Sequence, residues 1–182
     1  MAIHLVLGGA RSGKSAYAEK LALGSGLSVT YIATAQIFDH EFKARVEHHQ
    51  AHRPENWRLI EAPHYLSAAL EANNHASVGQ CRIIDCLTLW LAQCVCPDCA
   101  PLESQEKNVN LWKSEREKFL TILPKLQGET ILVSNEVGMG IVPLGEINRR
   151  FQDEQGRLNQ AVARIADTVT FVAAGLPLKL KG

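Results

Sequence analysis

Apolar runs of strand length alternate along this chain with longer runs of helical period. That alternation predicts an α/β fold, a mostly parallel sheet flanked by helices. Ile3-His4-Leu5-Val6-Leu7 reads as a buried strand, and Ala16 to Leu23 as a helix that begins at about Gly13 and that Gly24 ends. Ser28 to Ala33 is a second strand, finishing at Thr34. Ile37 to about His52 has the composition of a polar helix, stopped at Arg53-Pro54 because the residue before a proline resists helical torsions. Trp57 to Glu61 reads as a short strand and Tyr65 to Ala72 as a helix closed by Asn73-Asn74.

The second half repeats the rhythm. Cys81 to Asp85 is a buried strand ending in a carboxylate, and Leu87 to Val95 continues as an apolar helix. Pro97 to Asn108 is polar and proline-rich, the pattern of a long loop. Leu111, Glu115, Phe119, Ile122, Leu123 and Leu126 then share one helical face, with Glu115 its single polar member. Thr130 to Val133 is another buried strand, running into a loop from Ser134 to Pro143. Leu158, Val162 and Ile165 mark the stripe of the next helix. Thr168 to Ala173 and Leu178 to Leu180 read as an antiparallel C-terminal hairpin turning at Gly175-Leu176-Pro177. No repeat or linker divides the pattern, so residues 1–182 are expected to form a single domain, a length sufficient for a full core.

Composition narrows the partners. Lys plus Arg equals Asp plus Glu at 19 each, a formal net charge of zero, which argues against an obligatory nucleic-acid partner. Apolar runs such as Leu89-Trp90-Leu91-Ala92 are too short to span a bilayer, and with a strand opening at residue 3 no leader is expected. A soluble, cytoplasmic protein is expected. The five cysteines, Cys81, Cys86, Cys94, Cys96 and Cys99, then read as reduced thiols. Cys96 and Cys99 have C-x-x-C spacing, but no second pair stands at a convincing distance, and no metal site is expected there.

The chemistry begins where the first strand ends. Gly8-Gly9-Ala10-Arg11-Ser12-Gly13-Lys14-Ser15 matches G-x-x-x-x-G-K-[ST], the phosphate-binding loop. Its glycines let the backbone turn tightly and bring N–H groups to phosphate oxygens. Those amides and the helix N-terminus form an anion cradle. Lys14 supplies a charge for the β and γ phosphates, and Ser15 a hydroxyl for Mg²⁺. Because ligands of open α/β sheets lie beyond the carboxyl ends of the strands, Thr34, Glu61, Asp85 and Ser134-Asn135-Glu136 are expected near this loop. Asp85 occupies the strand-end position from which such enzymes hold Mg²⁺ or its waters; as an alternative it caps the following helix. Glu136 either orients a water or acceptor or caps its turn.

On the polar helix, Arg45, His49 and Arg53 fall at i, i+4 and i+8, and His48 and His52 share an adjacent face. Three readings stand side by side: a solvated surface, a His48–His52 metal pair, or a histidine nucleophile. In the last, neighbouring guanidinium charge favours the neutral, attacking imidazole.

Several stretches together carry a resemblance: the Gly8-to-Ser15 loop, Tyr31-Ile32-Ala33-Thr34-Ala35, Arg45-Val46-Glu47-His48-His49 with Arg53-Pro54, Ile84-Asp85-Cys86-Leu87-Thr88, and Ser134-Asn135-Glu136-Val137-Gly138-Met139-Gly140-Ile141-Val142-Pro143. In that order and spacing the chain resembles the bifunctional adenosylcobinamide kinase / adenosylcobinamide-phosphate guanylyltransferases over essentially its whole length. The resemblance implies two reactions of cobalamin biosynthesis. Adenosylcobinamide is phosphorylated by ATP or GTP, and GTP then gives GMP to that phosphate through a guanylyl-histidine. It implies His49 as the nucleophile. It also implies nucleotide contacts at Gly8, Gly9, Ala10, Arg11, Ser12, Gly13, Lys14, Ser15, Ala33, Thr34, Ala35, Gln50, Ala51, His52, Arg53, Glu61 and Asp85. Mg²⁺ would accompany the nucleotide at Ser15 and Asp85, and a homo-oligomer, a trimer, is suggested. Two rivals are a P-loop small-molecule kinase without a covalent step and a GTP-binding switch. The usual Asn-Lys-x-Asp guanine signature of such switches is absent.

Overall fold

The computed structural model describes residues 2–36, 54, 56–74, 79–96 and 108–182. In chain order the elements are β1 (Ala2–Gly8), α1 (Lys14–Gly24), β2 (Ser28–Ala33), β3 (Arg58–Glu61), α2 (Leu66–Ala72), β4 (Gln80–Asp85) and α3 (Leu87–Val95). There follow α4 (Asn108–Ile122), β5 (Glu129–Asn135), α5 (Glu146–Ile165), β6 (Thr168–Ala173) and β7 (Leu176–Lys181). The expected helix from Ile37 to His52 lies outside the described residues, as does the stretch from Pro97 to residue 107.

Among the described residues seven strands form one sheet in the order β3-β2-β4-β5-β1-β6-β7, parallel except for the antiparallel β6–β7 pair. Period-2 alternation sends the strand side chains to two cores. Ile3, Leu5, Ile32, Ile84 and Leu132 meet the helices α2 to α5 on one face. Val6, Tyr31, Ile83, Ile131 and Val133 meet Ala18 and Ala22 of α1 on the other. Both faces being covered, the central strands are apolar almost throughout, as a parallel sheet requires.

The first core centres on Trp90, which sets its ring edge-on to Trp112 with centroids 5.1 Å apart and at the same distance from Phe119. Its indole N–H donates to the His64 carbonyl at 2.9 Å, so the ring is buried without an orphaned donor. Glu115, the polar misfit on the α4 face, is buried too. The Ser67 backbone N–H donates to its Oε2 at 3.2 Å and the Ser67 hydroxyl reaches its carboxylate at 2.9 Å. These donors stand in the first turn of α2, where N–H groups have no intrahelical partner.

Three of the boundaries that differ from the sequence expectation have a clear physical cause. Leu126 is buried as expected, but Pro124 cannot continue α4, and a 3₁₀ turn at Leu123–Lys125 replaces its last turn. Ser134 and Asn135 belong to β5, not to the loop, because β1 extends as far and pairs Gly8 with Asn135. The C-terminal hairpin turns at Ala174-Gly175, with φ of 52° and 77°, so Leu176 and Pro177 already lie in β7. A two-residue turn with two positive φ angles matches the twist of the strands, and proline is tolerated on an edge strand.

Candidate nucleotide site

Parallel register collects the strand ends. Gly8 stands opposite Asn135 on one side and Val172 on the other, while Ala33 stands between Asp85 and Glu61. The Gly8–Ser15 loop curls back over the end of β1. A Cβ on Gly8 would lie 2.5 Å from both the Ser12 Oγ and the Val172 carbonyl oxygen, so no larger residue fits. Gly13 caps α1 at φ 93°, a left-handed conformation that favours glycine. Arg11 also has positive φ, 56°. Two backbone bonds clamp the loop from outside: the Glu136 N–H donates to the Gly8 carbonyl at 3.1 Å, and the Gly175 N–H to that of Ser12 at 2.8 Å.

Inside the loop two groups look inward. The Lys14 ammonium is buried and donates to the Gly9 carbonyl at 3.0 Å. The Ser12 hydroxyl is buried and has no hydrogen-bond partner among the described residues. A buried hydroxyl left unmatched costs free energy that a polar ligand in the loop would return. Ala10 and Arg11 are exposed at the loop tip, and Ser15 is half-buried in the first turn of α1.

Asp85 is half-buried, and the Tyr31 phenol donates to its Oδ2 at 2.9 Å. Tyr31 is itself stacked on Trp57, centroids 6.4 Å apart. The adjoining Cys86 thiol is pushed up to about 12, first by burial and then by the Asp85 carboxylate, with Lys14 among the groups opposing the shift. Both Asp85 and Lys14 therefore act electrostatically at Cys86. Burial likewise raises Cys81 to about 11 and Cys94 to about 12, which leaves all three thiols protonated near neutrality.

Thr34 has a different standing. Its side chain is fully buried, its hydroxyl donating to the Cys86 carbonyl at 2.7 Å and accepting from the Cys86 N–H at 2.8 Å. Its own N–H donates to the Asp85 carbonyl, and its carbonyl accepts from Gln93 of α3. It is a strut between β2, β4 and α3. Ala33 and Ala35 beside it are partly exposed, and Glu61 is exposed at the end of the edge strand β3. Glu136 folds its Oε1 back to accept from the Gly138 N–H at 2.7 Å, the turn-capping alternative. His49, Gln50, Ala51, His52 and Arg53 lie outside the described residues, as do Arg45 and His48.

Sequence reasoning missed the polar support behind β5. Gln155 and Asn159 of α5 are buried; Ser134 donates to the Asn159 Oδ1 at 2.7 Å and Gln155 to the Ser134 Oγ at 2.8 Å. The Asn159 amide then donates to the Asn135 carbonyl at 3.0 Å, and the Asn135 N–H to the Thr88 hydroxyl at 2.8 Å. The available signal was a polar i, i+4 pair inside an otherwise apolar stripe. Among the described residues no three His, Cys, Asp or Glu side chains are grouped to hold a metal, and no helix is long and apolar enough to cross a membrane.

A phosphate-binding loop at the head of a covered, mostly parallel sheet, with acidic residues at neighbouring strand ends, defines a P-loop NTPase-type α/β protein. The RadB recombinase crystal structure shares the fold at a TM-score of 0.52 and 16% identity, over 93% of this chain and 73% of that one. Sequence goes further than fold. Residues 4–180 match the family described as cobinamide kinase / cobinamide phosphate guanyltransferase, and the chain belongs to it. It is 50% identical to the bifunctional adenosylcobalamin biosynthesis protein CobP of Pseudomonas aeruginosa, over 98% of this chain and 96% of the other. The corresponding CobU proteins of Escherichia coli K12 and Salmonella typhimurium LT2 are 37% and 35% identical, each over 97% of this chain and 98% of its own. The chain is an enzyme, a kinase and guanylyltransferase of cobalamin biosynthesis.

Proposed function

We propose that residues 1–182 act as one nucleotide-binding unit that carries out two successive transfers at the Gly8–Ser15 loop. In the first, the aminopropanol hydroxyl of adenosylcobinamide attacks the γ-phosphorus of ATP or GTP. The bond to the bridging oxygen breaks, the nucleoside diphosphate leaves and the hydroxyl proton passes to solvent. In the second, an imidazole nitrogen of His49 attacks the α-phosphorus of GTP and pyrophosphate leaves. A phosphate oxygen of adenosylcobinamide phosphate then displaces the imidazole, giving adenosylcobinamide-GDP and free histidine. Splitting one transfer into two gives each step a good leaving group.

The observation that carries this reading is the loop itself: Gly8 and Gly13 shaped to fold it, Lys14 drawn inside it, and the buried Ser12 hydroxyl without a partner among the described residues. Such a cradle neutralises the charge that spreads over a transferring phosphoryl group. Ala10, Arg11, Ala33, Ala35, Gln50 to Arg53 and Glu61 complete the proposed nucleotide contacts, and Thr34, expected among them, serves by bracing the strand ends behind them. Mg²⁺ carried by a nucleotide needs only one or two protein oxygens. The Ser15 hydroxyl and the Asp85 carboxylate, the latter oriented by Tyr31, offer them. When bound, the ion would offset negative charge on the phosphates. A cytoplasmic homo-oligomer, a trimer, completes the reading, and sedimentation velocity of the purified chain tests its stoichiometry.

Incubation with α-labelled GTP tests the covalent step. The expected product is a labelled protein, acid-labile and alkali-stable as a phosphoramidate is. His49→Ala is expected to abolish labelling and guanylyl transfer while sparing phosphorylation of adenosylcobinamide. Equal loss of both activities in a folded variant would overturn the assignment.

A further inference from the structure

Val137 to Gly145 is a run of nine residues without one charged or hydrogen-bonding side chain. Ordinarily such a run is buried. Here Met139, Ile141, Val142 and Leu144 are 79%, 97%, 67% and 91% exposed, and Ile147 follows at 43%. The backbone beneath them is tied at both ends. Gln152 donates to the Val137 carbonyl at 3.1 Å, Asn148 to the Leu144 carbonyl at 3.1 Å, and the Arg149 N–H to the Gly145 carbonyl at 3.2 Å. The segment thus presents apolar side chains to water from an anchored backbone. Contiguous exposed apolar surface of this kind marks a binding face.

Its position says for what. The segment leaves β5 directly after Glu136, whose N–H holds the Gly8 carbonyl of the phosphate-binding loop. An acceptor hydroxyl must come within roughly 3–3.5 Å of the phosphorus it attacks. The body that carries that hydroxyl is then held within one side arm's length of the loop. For a corrinoid that body is a broad macrocycle, largely hydrocarbon, edged with methyl groups and uncharged carboxamide arms. An uncharged apolar segment that starts one residue beyond the Glu136 clamp on the loop matches it, whereas the nucleotide itself, being highly charged, does not.

Resting on the function proposed above, we propose that Met139, Ile141, Val142 and Leu144 form the platform on which the corrin macrocycle of the acceptor lies. The occupant is the corrinoid rather than a second copy of the chain, because the segment starts beside Glu136, whose N–H holds the Gly8 carbonyl of the loop where the phosphate is transferred.

The test uses Ile141→Ser, Leu144→Ser and the double variant in the full chain. Equilibrium dialysis, read by the visible absorption of adenosylcobinamide, gives its affinity without any turnover. KM for the kinase step, a fluorescent GTP analogue and sedimentation velocity complete the set. The double variant is expected to weaken corrinoid binding and raise its KM by about tenfold or more. Analogue affinity should hold within about twofold, with an unchanged sedimentation coefficient. Ile141→Met, which keeps the apolar surface, is expected to behave like the parent. Corrinoid affinity that does not change in the double variant overturns the platform. So does a shift to a smaller species, which would make the face a contact between copies. If the parent chain binds no adenosylcobinamide and phosphorylates none, the functional reading fails with it; an active parent with indifferent variants sinks the platform alone.

Discussion

Glu154 shows how a single carboxylate is set by its neighbours. It accepts from the Trp112 indole N–H at 2.7 Å, from Arg116 at 3.0 Å and from Arg157 at 2.6 Å. Burial by itself would raise its pKa, but these donors and positive charges outweigh burial and hold the carboxyl below its usual range. A depressed folded-state value contributes stability above the unfolded pKa, near 4.3, which is lost as pH falls through the folded value. Glu154→Gln is therefore expected to unfold at lower urea than the parent at pH 7, with the gap closing below about pH 4. A gap independent of pH would mean that packing, not charge, is lost. Glu115 is accommodated by hydrogen bonds: a polar residue on an apolar stripe is tolerated because α2 starts where its carboxylate points.

Among the elements, the β6–β7 hairpin connects the edge of the sheet to the site. Its turn places the Gly175 N–H on the Ser12 carbonyl, and the Lys181 ammonium donates to the last carbonyls of α5, Ala163 and Arg164 among them. A cation at that end also suits the negative pole of the helix. Ala174 is the weak point, since an L side chain at φ 52° costs roughly 1–2 kcal/mol. Ala174→Gly is expected to stabilise the protein by about 0.5–1 kcal/mol in urea unfolding, without changing affinity for a GTP analogue. A destabilised variant would show that the Ala174 methyl makes a contact worth more than the strain.

At the scale of the molecule, the sheet holds the site together through buried polar ties. Thr34 links β2 to β4 and α3 by side-chain and backbone bonds, and Asn159 links α5 to β5 beside Gly8. Thr34→Val keeps the shape but leaves the Cys86 N–H and carbonyl without their hydroxyl partner. Stability is expected to fall by about 1–3 kcal/mol in urea unfolding, with weaker binding of a GTP analogue. Lost affinity at unchanged stability would give Thr34 a direct contact with the ligand instead.

The phosphate-binding loop, the order of the elements and the parallel sheet were legible because local chemistry sets them: glycines where a turn needs them, period 2 or 3.6 elsewhere. The strand-end rule also singled out Asp85 and Glu61, while the sheet order decided that they stand on either side of Ala33. Partners far apart in sequence were not legible. Nothing local ties Tyr31 to Asp85, Ser67 to Glu115 or Gly175 to Ser12, for each bond closes a loop whose ends meet only when the sheet forms. Nor does hydrophobicity report exposure. Ile141 and Leu144 are as apolar as any core residue, yet packing left them in water. The sequence by itself determined the cradle and the alternation of strand and helix. Tertiary structure decided which buried polar groups find partners and which apolar ones stay open, because both depend on distances that only the assembled sheet defines.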